Sequence, residues 1–278
     1  MPYTAAINRA NPGCFIILLD QSGSMTDPFG GERQGSKAEA LTAAINRLLQ
    51  EMIIQCTKDM NVLRYFAVSI IGYGAAVGPA LGGALAGQPL VWVDDIYTNP
   101  LRVDEVTKKV SDGAGGLIET KVNMPVWFDP VAGNGTPMTQ AFQFALSLAQ
   151  NWVAEHPTSF PPIVINISDG ESTDGDPTPV VDKIKGLEVQ DGNALVMNLH
   201  LSSSRAQPIL FPDDNTPLPD KYAEMLYNMS SELPGGMRET ASNLGYKLGL
   251  GSRAFVFNAH LADAIQFLII GTKPSTLR

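Results

Sequence analysis

Cys14-Phe15-Ile16-Ile17-Leu18-Leu19-Asp20-Gln21-Ser22-Gly23-Ser24 is the stretch whose reading decides the fold. Its first six residues are apolar, rich in β-branched and aromatic types, and follow the turn pair Pro12-Gly13, which reads as a buried strand. Asp20, Ser22 and Ser24 then recur at every second position. In extended backbone such positions point to one side, so a carboxylate and two hydroxyls converge at the carboxyl end of the strand. Hard oxygen donors at that end of an α/β sheet suit a Mg²⁺-type cation.

Working outward, Ser36 and Glu39 form a capping box, and Leu41, Ile45, Leu48, Leu49, Met52 and Ile53 follow at helical spacing, predicting a helix over 37–57. A second apolar strand covers 63–74, a glycine-rich loop 75–88 and a short strand 90–93. Val103–Val110 reads as a short helix, and 111–135 as a long loop or an inserted hairpin. Thr136-Pro137 opens a helix to about 155, since proline suits the first helical position. Residues 162–168 form a third buried strand ending in Asp169-Gly170. A helix at 178–188, a strand at 194–201, a proline-rich loop at 205–220, helices at 220–232 and 237–247, a strand at 253–258 and a helix at 260–270 complete the order. Strands alternating with helices imply an α/β fold with a mainly parallel sheet and helices on both faces.

With 278 residues, 44% hydrophobic and 17% charged, the chain is long enough for a full core. Its net charge of −9 repels nucleic acid and anionic membranes alike. Cys14 falls in the first strand and Cys56 at the end of the first helix, so two buried free thiols are expected, as in a reducing compartment. The first residues lack a signal-peptide pattern, and no apolar stretch is long enough to span a bilayer, so a cytoplasmic location is expected. Asn166-Ile167-Ser168 matches a glycosylation sequon but lies inside an apolar strand.

Carboxyl ends of parallel strands share one rim, which brings Asp20, Ser22, Ser24 and Asp169 together with Thr136, the residue after the turn Gly133-Asn134-Gly135. This set resembles the metal-ion-dependent adhesion site (MIDAS) of von Willebrand factor type A (vWA) domains: D-x-S-x-S after the first strand, a Thr in a glycine-turn loop, and Asp-Gly after the fourth strand. The resemblance spans about 10–275 and implies a single vWA domain over 1–278 with insertions near 111–135 and 205–250. It implies a doubly wound sheet of six main strands with one antiparallel edge strand near 90–93. It also implies Mg²⁺ or Mn²⁺ held by the hydroxyls of Ser22, Ser24 and Thr136, with Asp20 and Asp169 acting largely through water. Neutral hydroxyls leave the ion electrophilic, so a protein partner can supply an Asp or Glu to complete its shell. Among relatives the chain looks most like intracellular bacterial vWA proteins such as those associated with tellurium resistance.

Each residue also has a plainer role open to it. Asp20 and Asp169 can hydrogen-bond the loops that follow them, Ser22 and Ser24 can satisfy a turn, and Thr136 can cap the helix after it. Asp27, Glu171, Asp174 and Asp176 read as solvated loop charges rather than ligands. A haloacid-dehalogenase-type phosphatase needs D-x-D, and Ser22 stands where its general acid would be. Gly72-Tyr73-Gly74 fails the dinucleotide pattern at its third glycine, and His156, His200 and His260 lack zinc-ligand spacing. The expected function is thus metal-dependent protein binding rather than catalysis. A Mg²⁺-dependent hydrolase with Asp20 as nucleophile and a metal-free scaffold are the rivals.

Overall fold

In the computed structural model the described residues are 3–28, 35–111, 117–201, 207–214 and 216–272. The predicted first strand is β1 (Gly13–Asp20), buried along its whole length. It is followed by α1 (Lys37–Cys56), β2 (Phe66–Tyr73), β3 (Val77–Pro79), β4 (Val91–Trp92), α2 (Val93–Thr98), β5 (Arg102–Ser111) and β6 (Leu117–Val126). Then come α3 (Met138–Glu155), β7 (Ile163–Ser168), α4 (Thr178–Lys185), β8 (Leu195–Leu201) and β9 (Ile209–Leu210). The chain continues through α5 (Lys221–Met229), α6 (Gly235–Asn243), β10 (Phe255–Ala259) and α7 (Leu261–Thr272).

The main sheet runs β9-β10-β8-β7-β1-β2-β3, with β4 also paired to β2. β10, β8, β7, β1 and β2 are mutually parallel, whereas β3, β4 and β9 are short and antiparallel. The sheet therefore has eight strands, not six, and three short antiparallel strands instead of one near 90–93. The two extra strands are three and two residues long, sit in Gly- and Pro-bearing sequence and carry no periodicity of their own. Only pairing against β2 and β10 makes them strands.

Alternation along β1 divides the core in two. Phe15, Ile17 and Leu19 pack with Leu41, Ile45 and Met52 of α1 and Phe267 and Leu268 of α7. Ile16 and Leu18 pack on the other face with Phe142 and Ala145 of α3 and Val181 and Ile184 of α4. Helices thus cover both faces of a mostly parallel sheet. The Ser36–Glu39 capping box forms as predicted: Glu39 N donates to Ser36 Oγ at 3.2 Å and Ser36 N to Glu39 Oε2 at 2.8 Å.

The predicted short helix at Val103–Val110 is instead strand β5, paired from Arg102↔Val126 to Ser111↔Leu117 with β6. Valines at 103, 106 and 110 mimic helical spacing, but backbone pairing with β6 outweighs a short, polar and uncapped helix. The hairpin starts well before the 111–135 stretch assigned to it. Its return is fixed to α1 by buried Asn46, whose Oδ1 accepts from Trp127 N at 2.8 Å. That anchor leads the chain into the 133–136 loop.

Cys14 and Cys56 are free and buried, and burial pushes both thiols up, Cys56 to about 12. The sequon asparagine, Asn166, is buried: its Oδ1 accepts from Tyr73 OH at 2.7 Å and its Nδ2 donates to Asn198 Oδ1 at 3.1 Å. No described helix is long and apolar enough to cross a membrane.

Candidate metal centre

The chain builds β1, steps outward to β2, then returns to β7 on the other side of β1. Strand order reverses between β1 and β7, and at such a switch point loops diverge and leave a crevice beyond the carboxyl ends. Asp20 ends β1, and Ser168 ends β7 with Asp169 next in sequence.

Three loops are laced together there. Gly133 N donates to Gln21 O at 2.8 Å and Gly23 N to Asn134 O at 3.0 Å, tying the Thr136 loop to the Asp20–Ser24 loop. Thr136 N donates to Thr173 Oγ1 and Thr173 N to Thr136 O, both at 2.9 Å, tying it to the loop after β7. Asn134 turns the chain at φ 67°, a left-handed position that asparagine tolerates. Gly74 explains part of the Gly72-Tyr73-Gly74 run: a Cβ at Gly74 would lie 2.6 Å from Gln21 O, so glycine lets the β1 exit loop close against β2.

Within this frame Asp20, Ser22, Ser24 and Asp169 come together, while the Thr136 side chain bonds to none of them. Ser22 Oγ and Ser24 Oγ are 3.0 Å apart, and Ser24 Oγ donates to Asp169 Oδ1 at 2.6 Å. Asp20 Oδ1 accepts from Ser22 N at 2.8 Å and Oδ2 from Ser168 Oγ at 2.7 Å. Asp20 is 2% exposed and has no cationic partner in ion-pair range among the described residues. Burial pushes its carboxyl above the ordinary range, against the hydrogen bonds from Ser168 and Ser22, and nearby Asp169 adds to the rise. A proton or a cation relieves that arrangement.

Thr136 is 5% exposed, yet its hydroxyl has no hydrogen-bond partner among the described residues. It does not cap α3 either, because Pro137 is the N-cap residue. That task falls to Asp174, whose Oδ1 and Oδ2 accept from Thr139 N and Gln140 N at 2.9 Å each. These bonds hold the Asp174 carboxyl below the ordinary range against its partial burial. Asp176 likewise caps the start of α4 through Thr178 N at 2.9 Å. Both are loop carboxylates, as expected, with Asp176 exposed and Asp174 part-buried, and each also caps a helix. Asp174→Ala is expected to lower stability by about 1–2 kcal/mol in urea denaturation.

Sequence reasoning overlooked two residues. Ser168 holds Asp20 and also accepts from Gly170 N at 3.2 Å, so it orients both strand ends. Lys37 is the larger omission. Only 2% exposed, it places Nζ 2.6 Å from Asp169 Oδ2, 3.5 Å from Ser24 O and 3.9 Å from Asp27 Oδ2. The Asp169 side chain is fully buried. Lys37 was legible as an anomaly, because a cation at the first position of a helix opposes the helix dipole and needs a counter-charge.

The donor set is hydroxyl-rich. Among the described residues no group of three or more His, Cys, Asp or Glu side chains has metal-holding geometry. A cavity of about 690 Å³, lined by Lys185, Arg238 and Arg253 among others, opens by the start of β8, at the other end of the sheet, and no predicted site residue lines it.

No family model matches the chain, and no curated protein matches its sequence. Solved structures with some likeness include proximal thread matrix protein 1 of the mussel byssus, at 10% identity and TM-score 0.48, covering 96% of this chain and 48% of that one. The manganese-loaded TRAP protein of Plasmodium vivax is 13% identical with TM-score 0.43, covering 97% of this chain and 75% of that one. The pilus adhesin RrgA of Streptococcus pneumoniae is 15% identical with TM-score 0.32, covering 60% of this chain and 21% of that one. This chain thus spans about half the length of the mussel protein.

Proposed function

We propose that Asp20, Ser22, Ser24, Thr136 and Asp169 hold a divalent cation, Mg²⁺ or Mn²⁺, through which the chain binds a carboxylate of a protein partner. The observation that carries this reading is the chain of Ser22, Ser24 and Asp169 oxygens, linked at 3.0 and 2.6 Å beside the buried Asp20 carboxylate, in a turn laced to the Thr136 loop. The Thr136 hydroxyl, without a hydrogen-bond partner among the described residues, is free to join a cation's oxygen shell. The uncompensated Asp20 carboxylate supports the same conclusion from the side of charge. When bound, the ion would supply an electrophilic position open to an acidic side chain. This chain's residues orient it: Ser168 fixes Asp20, and Thr173 fixes the backbone of Thr136.

Binding suits the geometry better than hydrolysis. Both oxygens of Asp20 already accept hydrogen bonds and the residue is buried, so it is poorly placed for nucleophilic attack.

Mg²⁺ or Mn²⁺ is expected to raise the melting temperature, by linkage of about 2.7 kcal/mol at a hundredfold excess over Kd. Ser22→Ala/Ser24→Ala should abolish the rise while leaving the metal-free protein folded. A rise that persists in the double variant would sink the assigned site. Capture of an acidic partner should fall with EDTA and with the same pair of substitutions, whereas phosphatase turnover dependent on Asp20 would favour the hydrolase.

A further inference from the structure

Both oxygens of Asp169 are engaged: Ser24 Oγ donates to Oδ1 at 2.6 Å and Lys37 Nζ to Oδ2 at 2.6 Å. The Lys37 ammonium also lies 3.5 Å from Ser24 O, within the same turn that carries the hydroxyls. Its environment is set by the fold rather than by chance contact. Ser36 caps the helix and Lys37 N donates to Asp27 O at 2.9 Å, which fixes the first turn of α1 over the Ser24 loop. A lysine at this position is disfavoured both by burial and by the helix dipole. Asp169 is the one carboxylate it reaches that is itself buried.

We infer that Lys37 is a tethered counter-cation that competes with the divalent ion for Asp169 and so sets how weakly the site holds metal. This rests on the metal-dependent reading above. With Lys37 in place the two buried carboxylates Asp20 and Asp169 present a net charge of about −1 to an incoming ion, instead of −2. Ammonium and metal are also like charges at close range. The metal therefore enters either by displacing Nζ from Oδ2 or by relying on hydroxyls and Asp20 alone, and in both cases it binds more loosely. An ion held loosely by few anionic ligands stays exchangeable and retains more of its attraction for a partner's carboxylate.

The test is Mg²⁺ and Mn²⁺ binding by calorimetry and by melting-temperature shift, on wild type, Lys37→Met and Lys37→Arg. Lys37→Met keeps the aliphatic stem and removes the charge, so its metal affinity should rise about tenfold or more, while Lys37→Arg should stay near wild type. Equal or weaker metal binding by Lys37→Met would overturn the inference while leaving the metal site standing. Binding by none of the three proteins would overturn the metal reading, and this inference with it. Should Lys37→Met not fold, the wild type decides: the Lys37 ¹⁵Nζ resonance must move along the Mg²⁺ binding isotherm. A resonance indifferent to saturating Mg²⁺ would overturn the competition.

Discussion

Lys37→Met is expected to lower the stability of the metal-free protein by about 3–5 kcal/mol, the usual cost of stranding one member of a buried ion pair. Asp169 is the stranded group. Its side chain is fully buried, and without Nζ it keeps only the Ser24 hydroxyl among the partners described above. Exposed pairs such as Arg47–Glu51 contribute far less, because water screens them. Arg47→Met is therefore the control and should change stability by less than about 1 kcal/mol. Urea denaturation in EDTA measures both. A loss below about 1 kcal/mol for Lys37→Met would mean that the pair is not closed in solution. Asp169→Asn should be milder than Lys37→Met only if Lys37 finds a second acceptor, and Asp27 Oδ2 at 3.9 Å is the other carboxylate oxygen in ion-pair range among the described residues.

The second large effect is acid lability centred on His200. At the β8–β10 ladder the register shifts between Leu199 and Leu201, and Asn258 adopts φ 59°. Its amide then donates to His200 Nδ1 at 3.1 Å. The ring stacks on Phe257 at 4.2 Å and meets the edge of Tyr222 at 5.8 Å. Burial pushes the imidazole down to about 4; Asp169 and Asp220 pull it up, and Lys37 pushes it further down. Protonation would also place an N–H on Nδ1 facing the Asn258 N–H, which removes that hydrogen bond.

The native state therefore binds fewer protons than the unfolded chain between pH 6.5 and about 4. Stability from this group is complete above pH 6.5 and is lost as pH falls through that window, by roughly 3 kcal/mol in all. Asp174 and Asp176, held below the ordinary carboxylate range, are lost only at lower pH. Asp20, raised by burial, acts in the opposite sense. His200→Gln keeps an acceptor for Asn258 and has no charge to gain. Its unfolding free energy should be nearly flat from pH 7 to pH 4.5, where the wild type slopes, and equal slopes would refute the assignment.

What was legible from the chain follows from how far each signal reaches. β1 and α1 are set by local pattern, an unbroken apolar run and a capping box, and both stand where the sequence puts them. Ser22, Ser24 and Asp169 were legible because strand ends in a parallel sheet share a rim, and their oxygens do come into hydrogen-bonding contact. The first strand of the β5–β6 hairpin reads wrongly as a helix, and 111–135 stays open between a long loop and an inserted hairpin, because valine spacing is ambiguous over so short a span and cross-strand pairing has no local signature.

By itself the sequence determined the alternation of buried strands with helices, the two faces of the sheet, and which oxygen-bearing residues close β1 and follow β7. Apolar period and turn chemistry act within a few residues, so they survive translation from sequence to structure. Only the tertiary structure decided the charge of the site. Lys37 and Asp169 lie far apart in sequence, and nothing in either segment says that one would neutralise the other. Packing α1 over the β1 exit loop brings them to 2.6 Å with both side chains buried, where an ammonium must find a carboxylate. That contact gives the Asp20–Ser24 turn, the proposed ion site, a cation of its own already at its edge.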